Sequence, residues 1–209
     1  MRGCVKSEWY FAASHLASRA VWHRRSRADF SSFCEQHAFW LEDYALFTAL
    51  KEAHGGRLWS SWEESVAKRE ADALVQWRNT LAEEVHFCKY VQPTFFKQWH
   101  ALRRYCQAHG VRMIGDMPIY VAYDSAEVWA HRPVFHLDEQ GHPLVVAGVP
   151  PDYFSATGQR WGNPIYRCEA MAPSGYQWRG DHHTAWASER PGSFRSSSGH
   201  TARGRGFSS

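Results

Sequence analysis

Val111–Tyr166 reads VRMIGDMPIYVAYDSAEVWAHRPVFHLDEQGHPLVVAGVPPDYFSATGQRWGNPIY, and the fold turns on its first residues. Val111-Arg112-Met113-Ile114-Gly115 is a short apolar run with Gly110 behind it and Pro118 ahead. A run this short, bounded by turn signals, predicts a buried strand. His109-Gly110 ends the preceding helical pattern. Helix, tight turn and buried strand make half of a βαβ unit, which predicts a parallel sheet or barrel. Asp116 then stands where the strand gives way to a loop. At the carboxyl end of a barrel strand, a carboxylate points to the usual place of chemistry. The plainer reading is an Asp that starts a turn ahead of Pro118.

Further along, Asp124-Ser125 before Ala126-Glu127-Val128-Trp129 predicts an N-cap and a short helix. Val134–Leu137 and Leu144–Ala147 flank Asp138-Glu139-Gln140-Gly141, which predicts a hairpin. Gly148–Pro164 has prolines, glycines and no hydrophobic period, which predicts a long structured loop. Its aromatics, Tyr153, Phe154 and Trp161, stand among polar Asp152, Gln159 and Asn163. Such a mixture suits a sugar, whose ring offers apolar faces for stacking and hydroxyls for hydrogen bonds. The competing reading is that the aromatics fill the core.

GDMPIYVAYDSAEVW (115–129) followed by VVAGVPPDYFSATGQRWGNPIY (145–166) resembles the amylomaltase family, the 4-α-glucanotransferases of the disproportionating type. FCEQHAFWLEDYALFTALKEAHGG (33–56) and LAEEVHFCKYVQPTFFKQWHALRRYC (81–106) resemble it as well, so the likeness runs from about Phe30 to Trp178. A likeness this long and ordered is far more specific than a single motif. It implies an α/β fold, a partial (β/α)8 TIM barrel with a helical insertion subdomain. The implied division is an unassigned segment at 1–28, the insertion at 29–110, a barrel-strand and substrate-loop region at 111–178, and a non-family tail at 179–209.

Composition is compatible with this. The 209 residues are 44% hydrophobic, a globular balance, with eleven Trp. Aromatic abundance of that order is common in carbohydrate-active proteins. The net charge of +3 is too mild to argue for nucleic acid. Cys4, Cys34, Cys88, Cys106 and Cys168 are scattered with no CxxC, so neither a disulfide framework nor a zinc site is indicated. Free thiols in a reducing cytoplasm are the simpler reading. No run has the length of a membrane span. No metal, cofactor, nucleic acid or membrane partner is expected.

The helical part is patterned as follows. Phe30 to Leu50 alternates apolar and polar residues as one broken or two consecutive amphipathic helices, ended by Gly55-Gly56. Ser61-Trp62-Glu63-Glu64 has the form of a capping box. From Asp72 to Ala108, Leu74, Trp77, Leu81, Val85, Cys88, Val91, Phe95, Trp99, Leu102 and Cys106 form one apolar stripe, read as core. Pro93 is expected to kink or split that helix near Val91-Gln92. A partial barrel is expected to leave this helix with an exposed apolar face.

After Tyr166 the likeness thins, and Arg179–Ser209 carries five Arg, no Lys, seven Ser and five Gly without apolar period. Disorder is expected there. A reading-frame shift is expected to give such an abrupt change, and resequencing the coding DNA around the Trp178 codon tests it.

The resemblance implies retaining transfer of α-1,4-glucan segments: a carboxylate attacks the anomeric carbon, an acid protonates the leaving oxygen, and an acceptor sugar resolves the glycosyl-enzyme. In the family those carboxylates lie beyond the position of Trp178, and the sequence diverges before any match, so no catalytic residue is assigned. The resemblance assigns Asp116 to the border of the donor sugar. It assigns Asp152, Tyr153 and Phe154 to a loop folded over bound glucan, and Gln159 and Trp161 to that loop's far end. Asp124, Trp129 and Asn163 match positions whose role is either structural or that of supporting the contact residues from behind. The expected partner is a maltooligosaccharide or α-glucan. The alternatives are a non-catalytic glucan-binding remnant and a pseudogene product without stable function.

Overall fold

The computed structural model describes residues 27–113 and 119–175. Asp116, the N-terminal segment 1–26 and the tail from Arg179 lie outside these residues, and so do the expectations placed on them. The described residues belong to two compact units, one ending at Arg167 and the other beginning at Cys168. The first unit holds the helical segment and the described residues from 111 to Arg167. The described part of the second is a short helix, α7 (Cys168–Met171), followed by a 3-10 turn, Ala172–Ser174.

The first unit opens with α1 (Arg27–Gln36) and α2 (Ala38–Ala53), the two consecutive helices that the apolar pattern predicts. They meet at His37, which takes φ −109° and ψ 12°. The buried face of α2 is Leu41, Ala45, Leu46, Phe47, Ala49 and Leu50, at helical spacing. Gly55 and Gly56 end it in the left-handed region, with Gly56 N–H donating to Lys51 O at 2.8 Å.

A 3-10 turn, Trp59–Ser61, leads to the single-turn helix α3 (Glu64–Ala67). The capping box does not form. Ser61 Oγ donates back to Leu58 O at 2.7 Å, and Glu63 occupies the cap position without capping the helix through its side chain. The residue is committed to the preceding turn and is no longer available to the following helix. Arg69 ends α3 at φ 61°, an uncommon conformation for a side chain with a Cβ. It is held there from two sides: its Nη2 donates to Asp43 Oδ1 at 2.7 Å, and its guanidinium lies 4.2 Å over the Trp129 ring.

The expected long helix is two helices, α4 (Ala71–Thr80) and α5 (Ala82–Ala108). The break is at Leu81, with φ −106° and ψ 31°, and not at Val91-Gln92. Pro93 lies inside α5, which continues through it. Its missing N–H leaves the Lys89 carbonyl without the usual donor, but packing outweighs the loss there. Lys89 Nζ donates to Glu42 Oε1 on α2, and Phe96 stacks on His37 with ring centroids 5.6 Å apart. The apolar stripe is core only over its first half. Leu74, Val85 and Cys88 are buried, whereas Val91, Phe95 and Leu102 are exposed. The exposed apolar face expected on this helix is therefore present along its second half.

Val111–Met113 are not in a strand, and Val111 and Met113 are about half exposed. The buried parallel strand is thus not formed at these residues, because no described segment pairs with them. The only described sheet has two antiparallel strands, β1 (Val146–Val149) and β2 (Gln159–Pro164). Between them Val146 pairs with Pro164 but Gly148 with Arg160, so β2 bulges across Trp161–Asn163. The predicted long loop is therefore a hairpin with a nine-residue tip at 150–158. The hairpin predicted at 134–147 is reduced to a tight turn. Gly141 N–H donates to Asp138 O, and a single antiparallel bridge joins Leu137 to Pro143. Phe135 bridges instead to Tyr166.

The core gathers around three tryptophans. Trp129, on α6 (Ala126–Ala130), is fully buried and donates through Nε1 to Val66 O at 3.0 Å. Phe47 and Trp62 pack on it with ring centroids 5.8 and 6.0 Å away. Trp59, also fully buried, donates to Tyr123 O at 2.9 Å. As predicted, α6 has a side-chain cap: Ser125 Oγ accepts from Val128 N–H at 3.3 Å. Gly141 takes φ +89°, and a Cβ there would stand 2.5 Å from Trp59 Cη2. Only glycine allows that close approach. Among the described residues, no helix is long and apolar enough to cross a membrane.

Candidate functional site

The hairpin carries five of the six residues singled out from the sequence: Asp152, Tyr153 and Phe154 in its tip, and Gln159 and Trp161 on β2. Asp152 closes the turn. Its Oδ1 accepts from Phe154 N–H at 2.9 Å and from Ser155 N–H at 2.8 Å, and its own N–H donates to Ser155 O at 3.0 Å. Gly158 N–H donates to the same carbonyl at 3.1 Å, while Ser155 Oγ donates to Gly158 O at 2.7 Å. Gly158 takes φ +73°, and a Cβ there would stand 2.5 Å from Val149 O. Glycine is thus required where the tip rejoins the strand.

Tyr153 and Phe154 project from this turn at 96% and 89% exposure. Their rings meet edge to face, with centroids 5.5 Å apart and planes at 90°. Neither fills the core formed by the described residues.

At the far end, Trp161 is half exposed and donates through Nε1 to Gln159 Oε1 at 3.0 Å. Tyr120 lies edge-on to Trp161, with centroids 6.3 Å apart, and stacks on Tyr166 at the same separation. Tyr120, itself half-buried, extends the aromatic cluster, and sequence reasoning did not single it out. Its neighbourhood to Trp161 depends on pairing across 41 residues, which no local pattern encodes. Asn163 ties the same region together, with Nδ2 donating to Val121 O at 2.9 Å. Asp124 forms an ion pair with Lys51. Asn163, Asp124 and Trp129 each tie segments distant in sequence together.

The site has aromatic faces and amide and carboxylate oxygens, the equipment for binding a polyhydroxylated ligand. Asp152 Oδ1 and Gln159 Oε1 are already engaged within the hairpin. Among the described residues, no group of three or more His, Cys, Asp or Glu is placed to hold a metal ion.

Comparison with known proteins places this hairpin in a family. The sequence profile described as 4-alpha-glucanotransferase matches residues 6–185, further at both ends than the likeness read from Phe30 to Trp178. The chain is 54% identical over 173 residues to the 4-alpha-glucanotransferase of Thermus thermophilus, covering 81% of this chain and 35% of that protein. It is 47% identical over 151 residues to the 4-alpha-glucanotransferase of Synechocystis, covering 72% of this chain and 30% of that one. The fold matches amylomaltase from Streptococcus agalactiae, solved in complex with acarbose, at TM-score 0.74 and 38% identity. That match covers 79% of this chain and 34% of the other. The chain belongs to the 4-alpha-glucanotransferase family, and it spans about a third of the length of the relatives it matches.

Proposed function

We propose that this chain is the substrate-side portion of a 4-α-glucanotransferase, which transfers α-1,4-glucan segments between maltooligosaccharides with retention of anomeric configuration. The observation that carries the reading is the Tyr153–Phe154 pair, held almost wholly in solvent on an ordered turn. Two large apolar rings in that position lose nothing from the core and gain contact area when a sugar ring covers them. Trp161 and Gln159 bound the same surface at the base of the hairpin. Asp116 is assigned to the border of the donor sugar, and the described helices and hairpin to part of a (β/α)8 barrel with a helical insertion.

Retaining transfer needs two carboxyl groups about 5 Å apart, one as nucleophile and one as acid. No residue described above is assigned either part. The chain by itself is expected to bind glucan and not to transfer it. The alternative, a chain that binds no glucan and has no stable function, is separated by one titration. Maltoheptaose is added while Trp fluorescence is followed, with Trp161 as reporter. A saturable change that disappears in Tyr153→Ala/Phe154→Ala, with the far-ultraviolet circular dichroism unchanged, supports the proposal. A folded sample with no saturable change at millimolar sugar refutes it.

A further inference from the structure

Tyr153 and Phe154 are so exposed that no tertiary packing fixes their direction. Their arrangement is set by the backbone of the turn beneath them. That backbone is held at two points. Asp152 Oδ1 takes the N–H groups of Phe154 and Ser155, and Ser155 takes the N–H groups of Asp152 and Gly158 while its hydroxyl donates to Gly158 O. We infer that Asp152 and Ser155 are positioning residues, which preform the aromatic platform through the backbone and do not themselves bind the sugar. The inference rests on the glucan reading above and changes the part that Asp152 plays in it. A preformed tip spares the ligand the entropy of ordering a nine-residue loop, and affinity rises accordingly. Ser155 is the residue that composition hides, since one Ser in a Gly- and Pro-bounded segment carries no sequence signal of its own.

Two readouts test the inference on the 209-residue chain. The first is amide hydrogen exchange of Phe154, Ser155 and Gly158 without sugar, measured by NMR. The second is the maltoheptaose titration. Asp152→Ala removes the acceptor of two amides, and is expected to speed exchange at Phe154 and Ser155 and to weaken maltoheptaose roughly tenfold. Asp152→Asn keeps the acceptor oxygen and removes the charge, so both readouts are expected to stay as in the native chain. Ser155→Ala is expected to weaken binding a few-fold, with Ser155→Thr restoring it because the hydroxyl returns. Native exchange in Asp152→Asn together with lost affinity would show that the carboxylate meets the sugar, which overturns the inference. Unchanged exchange in Asp152→Ala would overturn it as well. Exchange as expected, with no saturable sugar signal in the native chain, would remove the glucan reading alone and leave the preformed turn supported.

Discussion

Trp129 and the Tyr153–Phe154 pair are both aromatic, both in the family-like stretch, and opposite in setting. Trp129 is fully buried, donates to Val66 O, and has Phe47, Trp62 and Arg69 around it. Tyr153 and Phe154 touch chiefly each other and water. The first residue joins α2, α3 and α6, elements distant in sequence. The second pair is held by bonds among residues 152–158 alone. Aromatic content therefore says little about role until the environment is known. In the core an aromatic contributes buried area, while at the tip it offers area still to be buried.

The contrast predicts a graded set of effects on stability. Trp129→Ala is expected to be the most damaging, about 3–5 kcal/mol, because a large cavity opens and the Val66 carbonyl loses one of its two donors, keeping only the Arg69 N–H. Urea unfolding followed by circular dichroism measures it, and a loss below about 1 kcal/mol would deny Trp129 its central place. Gly141→Ala comes next, at about 1–3 kcal/mol, since the new methyl meets Trp59 and the residue must hold φ +89°. If the midpoint stays put, Trp59 has moved, and a crystal structure of the variant would reveal it.

A smaller effect concerns pH. Both ring nitrogens of His54 face acceptors, Leu50 O at 2.7 Å and Glu63 Oε2 at 2.6 Å. The His54 bond, with the Glu63 backbone next, holds the Glu63 carboxyl below its usual range. A carboxylate lowered on folding stabilises the fold above its unfolded pKa of about 4.3, and the contribution disappears as pH falls through the folded value. Glu63 is more than half exposed, so the contribution is small. Glu63→Gln is expected to flatten the fall in urea midpoint between pH 6 and pH 3. Parallel curves for the two chains would refute the coupling. The smallest effect belongs to Tyr153→Ala/Phe154→Ala, expected within about 0.5 kcal/mol of the native chain while glucan binding is lost. A large loss of stability in that double variant would move the pair into the core and erase the contrast.

Local signals predicted local structure well. The Leu41–Leu50 pattern gives the buried face of α2, Gly55-Gly56 its end, and Ser125 the cap of α6. Asp138–Gly141 gives the tight turn. Misreadings fall where two local signals compete for one residue. Ser61 is claimed by the preceding 3-10 turn and cannot cap the next helix. Pro93 has the chemistry of a helix breaker, but α5 is anchored to α2 on both sides of it through Lys89 and Phe96, and the chain breaks at Leu81 instead.

The sequence by itself determined the family, the helices, the turns and the position of the aromatic tip, because each of these is encoded within a few residues or in a long ordered likeness. Tertiary structure alone decided that Val111–Met113 stand exposed outside any strand, since a strand's burial depends on partners that the run does not contain. It also decided that Asp152 turns its carboxylate to the backbone, that Trp161 has Tyr120 beside it, and that Tyr153 and Phe154 face solvent. Exposure and pairing are relations between segments, and a linear order of residues fixes them only once the chain has packed.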